Sequence, residues 1–243
     1  MPLRNAIVLL TILSAVLYIL GCYRRVFIYP AFFLQVSYMF YRGMVLGRLP
    51  IVGPHDTLFF LSTSITLFGL PLTLKLENPR RVLYSVTALS VFFLLLSLPF
   101  KPHNFPLPPV LKTIWFEAHV TLSFFSYALF GIGAALGVVF WLTGEKQSEL
   151  LQYKTIVVGY FLFSAAMVFG GVWAYLAWGT YWLWTPKELW TVILWLFYSL
   201  YLHARLTSRW KGRPAALLGV AGFVIVMFTY LGVSLLMKSS HSF

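Results

Sequence analysis

A chain of 243 residues that is 60% hydrophobic and only 10% charged, with a mean hydropathy of +0.84, is too apolar to keep its own exterior wet. Its formal net charge of +12 would suggest nucleic acid in a soluble protein. Here the basic residues lie in short stretches between apolar runs, where they report membrane topology and meet anionic headgroups, so lipid rather than nucleic acid is the expected contact.

Apolar windows of about 20 residues, enough to cross ~30 Å of hydrocarbon as helix, recur along the whole length. They predict eight transmembrane helices at about 5–21, 26–46, 54–74, 82–100, 114–142, 155–175, 186–206 and 214–237. The first run lacks a small-residue cleavage site and reads as a span. Strands of a barrel are shorter, which leaves an all-α polytopic bundle. Pro54, Pro186 and Pro214 each fall in a first helical turn, where a missing N–H costs nothing. The expected organisation is a single membrane domain, residues 1–243, with N-terminal helices over 1–113 and a second part over 114–243. Cys22 is the lone cysteine, so the chain offers no internal disulfide, no C-x-x-C pair and no cysteine cluster.

Basic residues orient the helices. Arg24, Arg25, Lys75, Arg80, Arg81, Lys146, Lys154, Arg205, Arg209, Lys211 and Arg213 fall on one side; Arg4, Arg42, Arg48, Lys101, Lys112, Lys187 and Lys238 fall on the other. Eleven against seven places the first set in the cytoplasm, with both termini external.

Six of the nine tryptophans fall between Trp173 and Trp195, and Trp178, Trp182 and Trp184 lie within seven residues. Interfacial belts explain Trp115, Trp141 and Trp210. A belt needs no fixed spacing or turn chemistry, whereas this cluster is joined to Gly179 and to Thr185-Pro186-Lys187-Glu188, a capping box with Thr at the N-cap and Glu at N3. Indoles gathered on one external turn make a platform for a large, flat, apolar ligand, and haem fits that description. His119 and His241 are expected on the same side, and His203 near the cytoplasmic end of the seventh helix. An intramembrane histidine is costly, so His119 and His203 are candidate ligands as well as candidate packing residues. His55 and His103 read as solvated loop histidines.

Residues 178–190 resemble the signature W-G-x-Y-W-x-W-D-P-K-E-x-W of the haem-handling proteins of cytochrome c assembly. Within that group the chain is most similar to the CcsA/ResC family of the System II pathway. Residues 115–127, the stretch around Tyr201-Leu202-His203-Ala204-Arg205, and the close from Phe228 to His241 resemble the family in order and spacing, and residues 47–50 and 56–62 resemble it more loosely. The chain departs from the signature at Thr185, where the family has Asp; both residues cap helices, so the turn is expected to survive.

The resemblance implies a haem-delivery subunit of a cytochrome c synthase in the bacterial cytoplasmic membrane, with the plastid thylakoid as the second choice. It would present haem b externally for thioether attachment to an apocytochrome c with a C-x-x-C-H motif, beside a CcsB/ResB-type partner. It implies His119 and His241 as axial ligands of an external haem, His203 as an inner ligand, and Trp178, Tyr181, Trp182, Trp184 and Trp190 as cofactor-binding residues. No catalytic residue is implied beyond haem positioning. Lys112, Lys187 and Lys238 are candidate partners for the propionates. A haem-binding regulator or store without attachment chemistry, a small-molecule transporter and a structural subunit of a respiratory complex remain as alternatives.

Overall fold

The computed structural model describes residues 2–74, 79–102 and 104–236, and among these the chain is helical with no strand. Two compact units divide it, Met1–Pro106 and Leu107–Phe243. Eight long helices occupy the eight expected places, in an all-α polytopic bundle. Six of them are long and apolar enough to cross a membrane.

The first unit holds α1 (Pro2–Tyr23), α2 (Ile28–Leu46), α3 (Pro54–Leu74) and α4 (Arg80–Leu96). Of these α1 and α3 qualify as spans; α2 carries Gln35 and Arg42 inside it, and α4 has only 17 residues. Between helices in lipid there is little hydrophobic drive, so close packing and polar ties hold them together. One chain of side-chain bonds runs through all four. Tyr18 donates to Gln35, Gln35 Nε2 to Ser62 Oγ at 3.0 Å, Ser62 to the Ser90 carbonyl at 2.8 Å, and Thr66 pairs with Ser90 Oγ at 3.0 Å. A second knot lies at the start of α3. Arg42 donates to Asp56 at 2.6 Å and to Asn104 at 2.8 Å, and His55 Nδ1 lies 2.9 Å from the other Asp56 oxygen. His55 is 2% exposed and packs on Phe59, so it is a buried structural histidine rather than a solvated one. The sequence could not show this, because Tyr38, which packs on His55, and Arg42, which pairs with the Asp56 that His55 bonds, come from α2. His103 lies outside the described residues.

In the second unit α5 (Ile114–Thr143) and α6 (Lys146–Trp178) form a hairpin joined by Gly144 and Glu145 alone. At 33 residues α6 is about 50 Å long, and it begins nine residues before the expected start at 155. Its polar first turns are held by Glu149, which accepts from Arg205 and, at 2.8 Å, from the Gly212 amide. The remaining helices are α7 (Pro186–Leu206) and α8 (Arg213–Met227). A π-turn, Phe228–Gly232, and a last α-turn, Val233–Leu236, follow α8. Tyr160 with Ser199 (2.7 Å) and Trp195 with Ser164 (3.0 Å) bond α6 to α7. Gln152 donates to the Ala216 carbonyl at 3.2 Å and so bonds α6 to α8.

Candidate functional site

The site lies at the end of the second unit where α5 starts, α6 stops and α7 starts. Thr113 caps α5 by accepting from the Phe116 amide at 3.2 Å, which brings His119 into the second turn. His119 faces α6, with Nδ1 2.8 Å from the Ala166 carbonyl. A carbonyl only accepts, so Nδ1 carries the proton and Nε2 is left as the lone-pair nitrogen, the form an imidazole needs to bind a metal. Gly170 makes this approach possible: a Cβ there would stand 2.6 Å from the imidazole Nδ1. The ring lies nearly parallel to Trp173, 16° between planes with centroids 6.3 Å apart. Trp173 is itself fixed, donating Nε1 to the Val110 carbonyl at 2.8 Å and packing on Phe116 and Trp178.

Beyond Trp178, Gly179 takes φ 73 and ends α6 with its amide on the Tyr175 carbonyl. The chain then turns through Thr180–Trp184 into α7. Thr185 caps α7 and Glu188 reaches back to the Thr185 amide, so the capping box read from the sequence is formed. Tyr181 stacks on Tyr175 at 4.6 Å, and Trp190 packs on Phe228 of the π-turn at 4.5 Å. Trp184 stands outward, 68% exposed. The indole N–H of Trp182 is buried with no acceptor among the described residues. Lys187 lies near the same end, its ammonium 3.3 Å from Ser234.

Of the residues singled out from the sequence, the structure brings His119 and Trp178 each into ring contact with Trp173, and gathers Tyr181, Trp182, Trp184 and Trp190 into or just after the turn. His203 is elsewhere, at the far end of α7, with its Nδ1 2.8 Å from the Ser199 carbonyl and its ring exposed. It therefore shares with His119 a proton fixed on Nδ1 and a lone pair left on Nε2. His241 and Lys238 lie outside the described residues. Gly170, the Ala166 carbonyl and Trp173 as the stacking partner were not singled out. The one sequence signal for them is the Gly170-Gly171 pair inside an apolar helix.

Fold and site define a polytopic helical membrane protein with a tautomer-fixed histidine beneath an aromatic turn. The family described as cytochrome C assembly protein matches residues 53–241, and the chain belongs to that family. It is 34% identical to the cytochrome c biogenesis protein CcsA of Mesostigma viride, over 81% of this chain and 77% of that protein. It is also 34% identical to CcsA of Chlamydomonas reinhardtii, over 81% of this chain but 61% of that longer protein. Against CcsA of Prochlorococcus marinus (strain MIT 9215) the identity is 30%, over 87% of this chain and 81% of the relative.

Proposed function

We propose that this protein acts in cytochrome c maturation by holding haem at the tryptophan-rich end of its second unit for covalent attachment to apocytochrome c. The observation that carries this reading is His119. Its proton is committed to Ala166, its ring is stacked on Trp173, and Nε2 is the nitrogen left to bind iron. The residues present suit haem as substrate. The aromatic turn offers flat apolar faces, and the unpaired Trp182 N–H and the Lys187 ammonium offer donors for propionate carboxylates. His241 is proposed as the second axial ligand, because two imidazoles hold the macrocycle in one pose. His203 is proposed to hold haem on its inner side, on the way to the outer site.

In the attachment step each cysteine thiol of the C-x-x-C-H motif adds across one haem vinyl group. Sulfur bonds to one vinyl carbon and the proton goes to the other, so no oxidant is consumed. The protein's contribution is then orientation, with the cytochrome histidine replacing one of the two ligands. A CcsB/ResB-type partner is proposed to complete the synthase, in the bacterial cytoplasmic membrane.

The test is an absorption spectrum of the full-length protein purified from cells that also express the partner. Wild type should carry low-spin haem with two imidazole ligands. His119→Ala should lose that spectrum and should stop holocytochrome c formation. Wild-type protein that carries no haem while cytochromes mature normally would overturn the reading. Haem bound without any dependence of cytochrome maturation on His119 would favour a haem store or regulator.

A further inference from the structure

Among the described residues of the second unit, Glu188 is the one charged residue that is buried, at 8% exposure. No cation among the described residues forms an ion pair with it. Its charge is met instead by N–H and O–H groups of the turn before it. The Leu183 amide lies 3.2 and 3.1 Å from its two oxygens, the Thr185 amide 2.8 Å away and the Thr185 hydroxyl 3.2 Å away. Its place in the first turn of α7, at the positive end of the helix dipole, adds to this.

A capping box accounts for the bond to Thr185 and for nothing further back. The reach to Leu183, five residues upstream, is additional, and the residue it encloses is Trp184. Trp184 is the one non-glycine with positive φ among the described residues, at 59°. A bulky residue holds that conformation only where its neighbours dictate it. Here the amides on both sides of Trp184 are tied to a single carboxylate, and its ring is left exposed at the external turn.

We infer that Glu188 is a positioning residue for the haem wall: through the Leu183 and Thr185 amides it holds Trp184 in the left-handed conformation and so fixes where its indole meets the macrocycle. This rests on the reading of the turn as part of a haem site, and the two fail separately in the following experiment. Full-length wild-type, Glu188→Ala and Glu188→Gln proteins are placed in lipid nanodiscs. Amide hydrogen exchange over residues 180–186 is measured without haem, then haem release and the axial-ligand spectrum are measured with it. Losing hydrogen bonds to a charged group should speed exchange in that stretch of Glu188→Ala by about tenfold or more, leaving α5 and α6 unchanged. Haem release should quicken by a comparable factor, while the haem still bound keeps its low-spin spectrum, because His119 is held by Ala166 and not by this turn. Glu188→Gln retains one acceptor oxygen and should fall between the two, and it stands in if the Ala variant does not fold. Unchanged exchange, or raised exchange with unaltered haem release, overturns the inference. So does a changed axial-ligand spectrum in Glu188→Ala, which would mean general disruption. A wild type that takes up no haem defeats the haem reading alone, and the exchange comparison still decides whether Glu188 holds the turn.

Discussion

His119 owes its position to what is missing from the residue opposite. Gly170 leaves room for the imidazole against the α6 backbone, and a methyl group there would stand within 2.6 Å of Nδ1. Gly170→Ala should therefore push the ring off the Ala166 carbonyl while favouring the helix itself, since Ala exceeds Gly in helix propensity by about 1 kcal/mol. The expected outcome is loss of the low-spin haem spectrum with unchanged helicity by circular dichroism; a variant that binds haem like wild type would show that the imidazole tolerates displacement. At Thr185 the hydroxyl does two things, accepting from the Glu188 amide and donating to the Glu188 carboxylate. Serine preserves both and should be nearly silent. Valine loses both, and haem retention should fall with an N-cap loss of about 1 kcal/mol. Aspartate, equivalent as a cap on sequence grounds, keeps the acceptor but faces Glu188 with a second carboxylate, so it should fall below serine in thermal stability and recover as pH is lowered. At this scale the cap was legible because Thr-Pro-Lys-Glu is a local pattern. Gly170, Ala166 and the Leu183 bond were not, because they depend on how α5 meets α6 and how the turn folds back.

Helix boundaries were legible where a residue marks them and illegible where packing does. Pro54 and Pro186 start α3 and α7 where the sequence places them, and Leu74 and Leu206 end them as expected. The start of α6 was missed because Lys146-Gln147-Ser148-Glu149 has the composition of a loop. It is helical because Glu149 has partners waiting on Arg205 and Gly212. Burial of His55 was missed for the same kind of reason. The knot that buries it gives a strong stability prediction for the first unit. Arg42 and Asp56 have side chains only 6% and 1% exposed, and removing one partner of such a pair leaves an uncompensated charge, a loss of about 3–5 kcal/mol. Asp56→Ala should lower the midpoint of thermal unfolding sharply and reduce the amount of protein in the membrane. Asp56→Asn, which keeps an acceptor for Arg42, should lower it less. Equal midpoints for wild type and Asp56→Ala would show that the pair adds nothing to stability.

For the molecule as a whole, the even number of helices and the basic loop around Arg209 predict that both termini lie outside; reporter fusions after Arg209 and near the C-terminus should report opposite sides. This arrangement separates the two histidines whose Nδ1 protons are both committed to backbone carbonyls. The stretch of α7 from its cap at Thr185 to His203 is about 27 Å long, most of a hydrocarbon thickness. His119 lies beside Trp173 at the tryptophan-rich end, whereas His203 is exposed at the opposite end of α7. One haem cannot be bound by both. If haem enters at the inner end and is used at the outer end, the two residues act at successive steps, and their variants should fail differently. His203→Ala should lower the amount of haem that reaches the protein in cells, while haem supplied directly to the purified variant gives the wild-type low-spin spectrum. His119→Ala should fail in both settings. Normal haem loading of His203→Ala in cells would return His203 to a structural role, a histidine closing the last turns of α7 through Ser199, and would leave the outer site to acquire haem by another route.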